Sequence, residues 1–279
     1  MQCKTAFVTG GGSGIGLSLA ETLAKRGARI AAFDLRFSDE ARARLRKVCP
    51  HALFFEVDVR DAAGVEAAVN KAVEQIGVPE VAINSAGVQV ARPFLEISSE
   101  RYDFVIDINL NGAWRTLKAA APHVQATGGH MVAVSSMIAY IHPPLLASYA
   151  ASKAGVAAML DVLRLEMRPD GVTVGSVHPV IFRTPMIGDA LSSPAALELV
   201  KDFTGAFKTV GLDTVVEAVV DGIERRSRRT VVPREHGLAA LIPGVAQAAL
   251  ERLLFRPRTV ARAIELGSEA SAPHAPQPK

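Results

Sequence analysis

Residues 5–34 read TAFVTGGGSGIGLSLAETLAKRGARIAAFD. Thr5–Thr9 is a short run that reads as a strand, residues 15–26 carry Ile, Leu and Ala at helical spacing, and Arg29–Asp34 reads as a second strand. Between the first strand and the helix stand Gly10, Gly11, Gly12, Gly14 and Gly16, with Ser13 and Ile15 among them. Glycine there permits a tight turn, and the missing side chains let a pyrophosphate approach the helix N-terminus. A glycine cluster alone is an ordinary turn signal, but its place between strand and helix in a βαβ unit gives it this meaning.

The same alternation continues outward. Strands are expected at 52–57, 81–84, 130–135, 172–177 and 229–232. Helices are expected at 39–48, 62–76, 98–126, 148–167 and 212–225, with a helical excursion over 185–208. Such alternation implies a parallel sheet covered on both faces. The expectation is therefore a single α/β domain, a doubly wound parallel sheet of Rossmann type, over 1–232. A helical C-terminal extension over 233–266 and a disordered Pro/Ala/Ser-rich tail over 267–279 follow.

Composition narrows the class. The chain has 279 residues, 49% of them hydrophobic, enough for a sizeable core. A net charge of +3 and 5% aromatic residues do not point to nucleic acid. Two cysteines, Cys3 and Cys49, cannot build a disulfide framework, and the seven histidines show no ligand spacing, so no metal is expected. The opening residues lack a secretory signal pattern, and the apolar run 237–250, broken by Pro243, is too short to span a bilayer. A cytoplasmic protein is expected, with membrane contact at most peripheral.

Asp34 ends the second strand about 18 residues past Gly16, where a carboxylate can bond the adenosine ribose and repel a 2′-phosphate. That favours NAD over NADP, although Arg36 lies close by. With the spacing Gly-x3-Gly-x-Gly, the sequence here strongly resembles the short-chain dehydrogenase/reductase superfamily, over roughly 4–232. The resemblance implies that Asp58 and Val59 contact the adenine, and that Asn84, Ala86 and Gly87 end the fourth strand beside the cofactor. Ser85 departs from the usual Asn-Asn-Ala-Gly. Further on, Pro179, Phe182 and Thr184 match the segment that holds the nicotinamide carboxamide, with Val180 replacing a usual glycine.

Of the three tyrosines, Tyr102, Tyr140 and Tyr149, only Tyr149 has a lysine four residues on, Lys153. Positions i and i+4 share a helix face. A free phenol titrates near 10, too high for a base at neutral pH, and a nearby cation favours the phenolate. Ser136, thirteen residues before Tyr149, completes the family's Ser…Tyr-x3-Lys set. By resemblance, Ser136 holds the substrate oxygen, Tyr149 exchanges its proton, and Lys153 binds the nicotinamide ribose. Asn109 takes the fourth place, holding a water in a proton relay, with Asn111 as its rival.

The loop 137–146, MIAYIHPPLL, is almost wholly apolar, and Met186, Ile187, Leu191, Phe203 and Phe207 add to it. No arginine or lysine stands in that loop to hold an anion. His142 is a loop histidine that either touches substrate or has no role. The expected reaction passes a hydride between NAD(H) and a hydrophobic secondary alcohol or ketone, of steroid, retinoid or long-chain type. An NADPH-dependent carbonyl reductase and a catalytically silent NAD-binding regulator are the alternatives. The resemblance implies a homodimer or homotetramer through 98–126 and 148–167. For 237–258, apolar with basic residues, three readings stand open: a helix closing the substrate pocket, a subunit contact, or a helix lying on a membrane surface.

Overall fold

The computed structural model describes residues 4–180, 193–200, 210–253 and 255–269. Seven parallel strands form one sheet: β1 (Thr5–Thr9), β2 (Arg29–Asp34), β3 (Leu53–Glu56), β4 (Val81–Asn84), β5 (His130–Val134), β6 (Thr173–Pro179) and β7 (Arg229–Val232). Their spatial order is β3-β2-β1-β4-β5-β6-β7, so the chain reverses direction across the sheet between β1 and β4. In an open sheet of this kind, ligands bind at that switch point, outside the carboxyl ends of the strands.

Both faces are buried, as the unbroken apolar strands require. Ala6 and Val8 point into a core formed with α1 (Gly14–Lys25), α2 (Asp39–Val48) and a later helix, Leu212–Glu224. Phe7 and Phe33 point the other way, onto α3 (Ala62–Ile76). Met131 and Ala133 meet α5 (Gly112–Gln125) and α6 (Ala147–Glu166) on that same face. Local chemistry starts the helices where it should: the Ser38 hydroxyl accepts from the Ala41 amide at 3.1 Å, and Asp61 accepts from Gly64 at 3.1 Å.

One expected element is divided. The helix expected over 98–126 is α4 (Ser99–Ile106), a π-helical turn (Asp107–Asn111) and then α5. Sequence periodicity runs straight through because the backbone stays right-handed helical across the junction. The wide turn arises where Asn109 bonds out of the helix to its neighbours.

Past β6, the described part of the expected 185–208 excursion is a helix, α7 (Pro194–Val200). Then come α8 (Leu212–Glu224), α9 (Gly237–Leu241), α10 (Pro243–Leu253) and α11 (Pro257–Glu269), so the extension continues beyond 266. Helix α11 packs on α7.

Candidate active site

The glycine loop leaves β1 at Gly10, whose φ of 75° is open to glycine at little cost. A Cβ at Gly10 would lie 2.6 Å from the Ala86 nitrogen, so the loop runs hard against the end of β4. The departure at Ser85 acquires a role here: its hydroxyl donates to the Thr9 carbonyl at 2.7 Å, tying β4 to β1 across the switch point. Gly14 opens α1 at φ 51°, and a Cβ there would meet no atom of the chain within 4 Å. Ser13 caps α1 without turning its hydroxyl back onto the helix. Ile15 is half-buried against the core. An open space at a helix N-terminus, floored by backbone, fits a pyrophosphate.

Asp34 stands at the lip of this loop, and the Gly12 amide donates to its Oδ2 at 2.8 Å. Arg36 is exposed, with its carbonyl 2.7 Å from where a Cβ of Gly12 would be. Asp58 is taken up by Arg60, whose guanidinium lies 2.6 Å from it. Hydrogen bonding to Arg60 holds the Asp58 carboxyl below its usual range, against the opposing effect of burial. Val59 is buried beside Gly112 at the start of α5. Asn84 is buried at the end of β4, and its Nδ2 has no partner among the described residues. A buried amide donor without a partner at the head of this crevice is a group that a bound ligand can satisfy.

The four residues expected to act together do converge. Tyr149 lies in the first turns of α6, and the Ser136 hydroxyl beside its phenol favours the ionised form. Lys153 Nζ is 5.6 Å from the Tyr149 ring centroid and donates to the Val134 carbonyl at 2.9 Å. Ser135 Oγ donates to the Lys153 carbonyl at 2.9 Å, pinning α6 to the end of β5. The Asn109 side chain accepts from the Val88 amide at 2.8 Å, and donates to the Val88 carbonyl at 2.9 Å and to Ser152 Oγ at 3.0 Å. A Cβ at Gly87 would lie 3.2 Å from Asn109 Oδ1 and 3.4 Å from Lys153 Nζ, so both groups border this glycine. Asn111 instead donates to Asp107 at 3.2 Å on an exposed turn, which leaves Asn109 as the asparagine of this cluster.

Electrostatics differ from the simple expectation of a phenol acidified by its lysine. Burial pushes Tyr149 up to about 12, with the Ser136 hydroxyl pulling the other way. Burial also brings Lys153 down to about 8. Removing both groups from water disfavours phenolate and ammonium alike, and burial is the largest effect on each. In the protein alone, Tyr149 is therefore a proton donor at neutral pH.

Behind Ser136 lies a group that residue spacing did not single out. His178, on β6, is fully buried, and its Nδ1 is 3.1 Å from the Ser136 carbonyl oxygen. A carbonyl only accepts, so Nδ1 carries the proton and Nε2 accepts from Ser176 Oγ at 2.8 Å. Burial takes this imidazole down to about 4, so it is neutral. Tyr140 packs on its ring at 4.8 Å, and Arg229 lies over Tyr140 at 5.2 Å. The only sequence signal was the position of His178 just before Pro179, which is buried and pairs with Val232. Phe182 and Thr184 lie outside the described residues, as do Met186, Ile187, Leu191, Phe203 and Phe207.

The C-terminal extension reaches the apolar loop. The His142 amide donates to Gln247 Oε1 at 2.8 Å, and Gln247 Nε2 donates back to the His142 carbonyl at 3.4 Å. Leu145, at φ 70°, accepts from the Arg92 amide at 2.8 Å, while Arg92 also donates to the Gly267 carbonyl at 3.1 Å.

Comparison with known proteins agrees with this layout. Residues 4–194 match the short chain dehydrogenase family. The probable oxidoreductase EphD of Mycobacterium tuberculosis is 31% identical over 257 residues, 86% of this chain but 43% of that protein, so the chain spans less than half its length. The trans-4-hydroxycyclohexanecarboxylate dehydrogenase of Sinomonas cyclohexanicum is 33% identical over 192 residues, 66% of this chain and 74% of the relative. Among solved structures, carveol dehydrogenase from Mycobacterium avium in complex with NAD superposes with a TM-score of 0.76 at 26% identity, covering 83% of this chain and 96% of the other. A family match across more than half of the chain makes this protein a member of the short-chain dehydrogenase/reductase superfamily.

Proposed function

We propose that this protein is an NAD-dependent oxidoreductase acting on a hydrophobic secondary alcohol or its ketone. The observation that carries the reading is that Tyr149 lies beside Ser136 and Lys153, that Lys153 and Asn109 border Gly87, and that the glycine loop runs against the neighbouring Ala86 at Gly10. When bound, a nicotinamide dinucleotide supplies the hydride acceptor or donor. Gly10, Ser13, Gly14, Ile15 and Gly16 cradle its pyrophosphate, Asp34 takes the ribose hydroxyls, and Asn84, Ala86 and Gly87 line its path. The Ser136 hydroxyl holds the substrate oxygen. Tyr149 gives that oxygen a proton in reduction and takes it in oxidation. Lys153 places a cation beside both the phenol and the ribose, and Asn109 fixes the backbone at Val88 and the start of α6.

Support for NAD comes from Asp34 and from a structural relative that holds NAD. Support for an apolar alcohol comes from loop 137–146 and from a structural relative named for carveol. Exposed Trp114, Val162 and Leu165, on α5 and α6, favour a homo-oligomer built through those helices.

The test is nicotinamide reduction with NAD and with NADP over secondary alcohols from small and polar to bulky and apolar. Turnover of bulky alcohols with NAD is expected, with Tyr149→Phe losing at least ~100-fold in kcat. Turnover with NADP alone would overturn the reading of Asp34, and full activity in Tyr149→Phe would overturn that of the phenol. Because Tyr149 is held protonated, oxidation should gain rate as pH rises through neutrality, while ketone reduction should not.

A further inference from the structure

We infer that the outer face of α9 and α10 docks on an anionic lipid bilayer. The apolar run that forms α10 is unusual in what it leaves uncovered: none of its residues is buried. Its inward side, Ala246, Gln247 and Leu250, is half-buried, and Gln247 grips the His142 backbone. Its outward side carries Val245, Ala248, Ala249 and Arg252, spaced i, i+3, i+4, i+7 and all exposed. A helix that is apolar on both sides is normally enclosed. Val245 is 66% exposed, and Leu238 and Leu241, on α9, are 65% and 70% exposed.

Charge decides which occupant this surface fits. Residues 234–258 hold four arginines and two glutamates, and one of those glutamates, Glu251, already accepts from Gln247 at 2.8 Å. Arg252, Arg256 and Arg258 are exposed and have no carboxylate partner among the described residues. A second copy packed about a two-fold axis on this face would bring its own Arg252 to the same face as this one. A layer of lipid phosphates neutralises the arginines, since guanidinium suits phosphate oxygens, while the leucines and valine enter the acyl boundary. No described helix is long and apolar enough to cross a membrane, so the contact lies in the plane of the surface. It also puts the apolar loop 137–146 one helix from the lipid; that consequence, though not the docking itself, rests on the proposed substrate class.

The test is co-sedimentation of the full chain with phosphatidylcholine vesicles, with and without phosphatidylglycerol, alongside sedimentation velocity without lipid. Binding is expected only when phosphatidylglycerol is present, and it should weaken with added salt. A triple Arg252→Gln, Arg256→Gln, Arg258→Gln variant should lose on the order of a hundredfold in partition. A Leu241→Glu, Val245→Glu variant should lose binding while keeping the wild-type thermal midpoint and dehydrogenase turnover, because both side chains are already in water. Absence of binding to anionic vesicles overturns the proposal. So does binding that ignores lipid charge, or a dimer that the Leu241→Glu, Val245→Glu variant dissociates in the absence of any vesicle binding. Dehydrogenase turnover reads the function separately, so neither proposal's failure is mistaken for the other's.

Discussion

Ser136 is held from two sides, by the Ile138 amide on its hydroxyl and by His178 on its carbonyl, with the Tyr149 phenol beside it. Deleting the imidazole would leave that carbonyl only the Ala139 amide, at 3.1 Å, and the Ser176 hydroxyl only the Arg228 carbonyl, at 3.5 Å, at about 0.5–1.5 kcal/mol per lost bond. His178→Leu should therefore lower kcat roughly 10–100-fold through misplacement of Ser136, with dinucleotide affinity unchanged. His178→Asn, whose amide can replace the Nδ1 donor, should recover most of that loss. Steady-state kinetics with a separate NADH titration checks it: equal losses in both variants would mean that His178 only fills space. Spacing in the chain pointed to Ser136, Tyr149 and Lys153 because one helix and one strand end carry them. It could not point to His178, which meets Ser136 only because β5 and β6 are neighbours in the sheet.

Among the elements, the π-helical turn Asp107–Asn111 is the one that periodicity missed. Apolar spacing reports which side of a helix faces the core, and it is blind to one extra residue in a turn. Here the extra residue is accommodated because Asn109 gains three hydrogen bonds to Val88 and Ser152. Such turns often mark functional sites. Asn109→Leu would strand the Val88 amide and carbonyl in a site that is 1% exposed, so a stability loss of roughly 2–4 kcal/mol is expected in urea unfolding, accompanied by lower activity. A variant as stable as the parent would mean that the turn is set by packing alone. The strands and the other helices were legible because each is short, apolar on a regular period and ended by Ser, Asp or Gly, as at Ser38, Asp61 and Gly77.

At the scale of the whole molecule, two buried histidines set a pH limit on stability. His130, at the opposite end of the sheet from the cradle, is taken down to about 4 by burial, as is His178. Each stays neutral in the folded chain, whereas the unfolded chain protonates it near 6.5. The unfolded state thus binds more protons between pH 6.5 and 4, and stability must fall as pH falls through that window. It is fully present above pH 6.5. Each histidine contributes about 1.4 kcal/mol per pH unit there. Urea unfolding at pH 7 and pH 5 should differ by roughly 3–4 kcal/mol, and a flat profile would mean that one or both rings reach water.

The sequence by itself determined the alternation of strand and helix, the glycine cradle, Asp34 at its lip and the Ser136, Tyr149, Lys153 set, because each depends on residues close together in the chain or on backbone chemistry that only glycine allows. Tertiary structure decided the rest. It buried Asn109 and left Asn111 exposed, and it explained Ser85 through a bond to Thr9. It raised Tyr149, where charge counting had lowered it, since desolvation depends on the whole surrounding fold. It also laid α10 on the apolar loop 137–146 through Gln247 and His142, 105 residues apart in the chain. Contacts of that separation exist only once the sheet has assembled, and no local pattern encodes them.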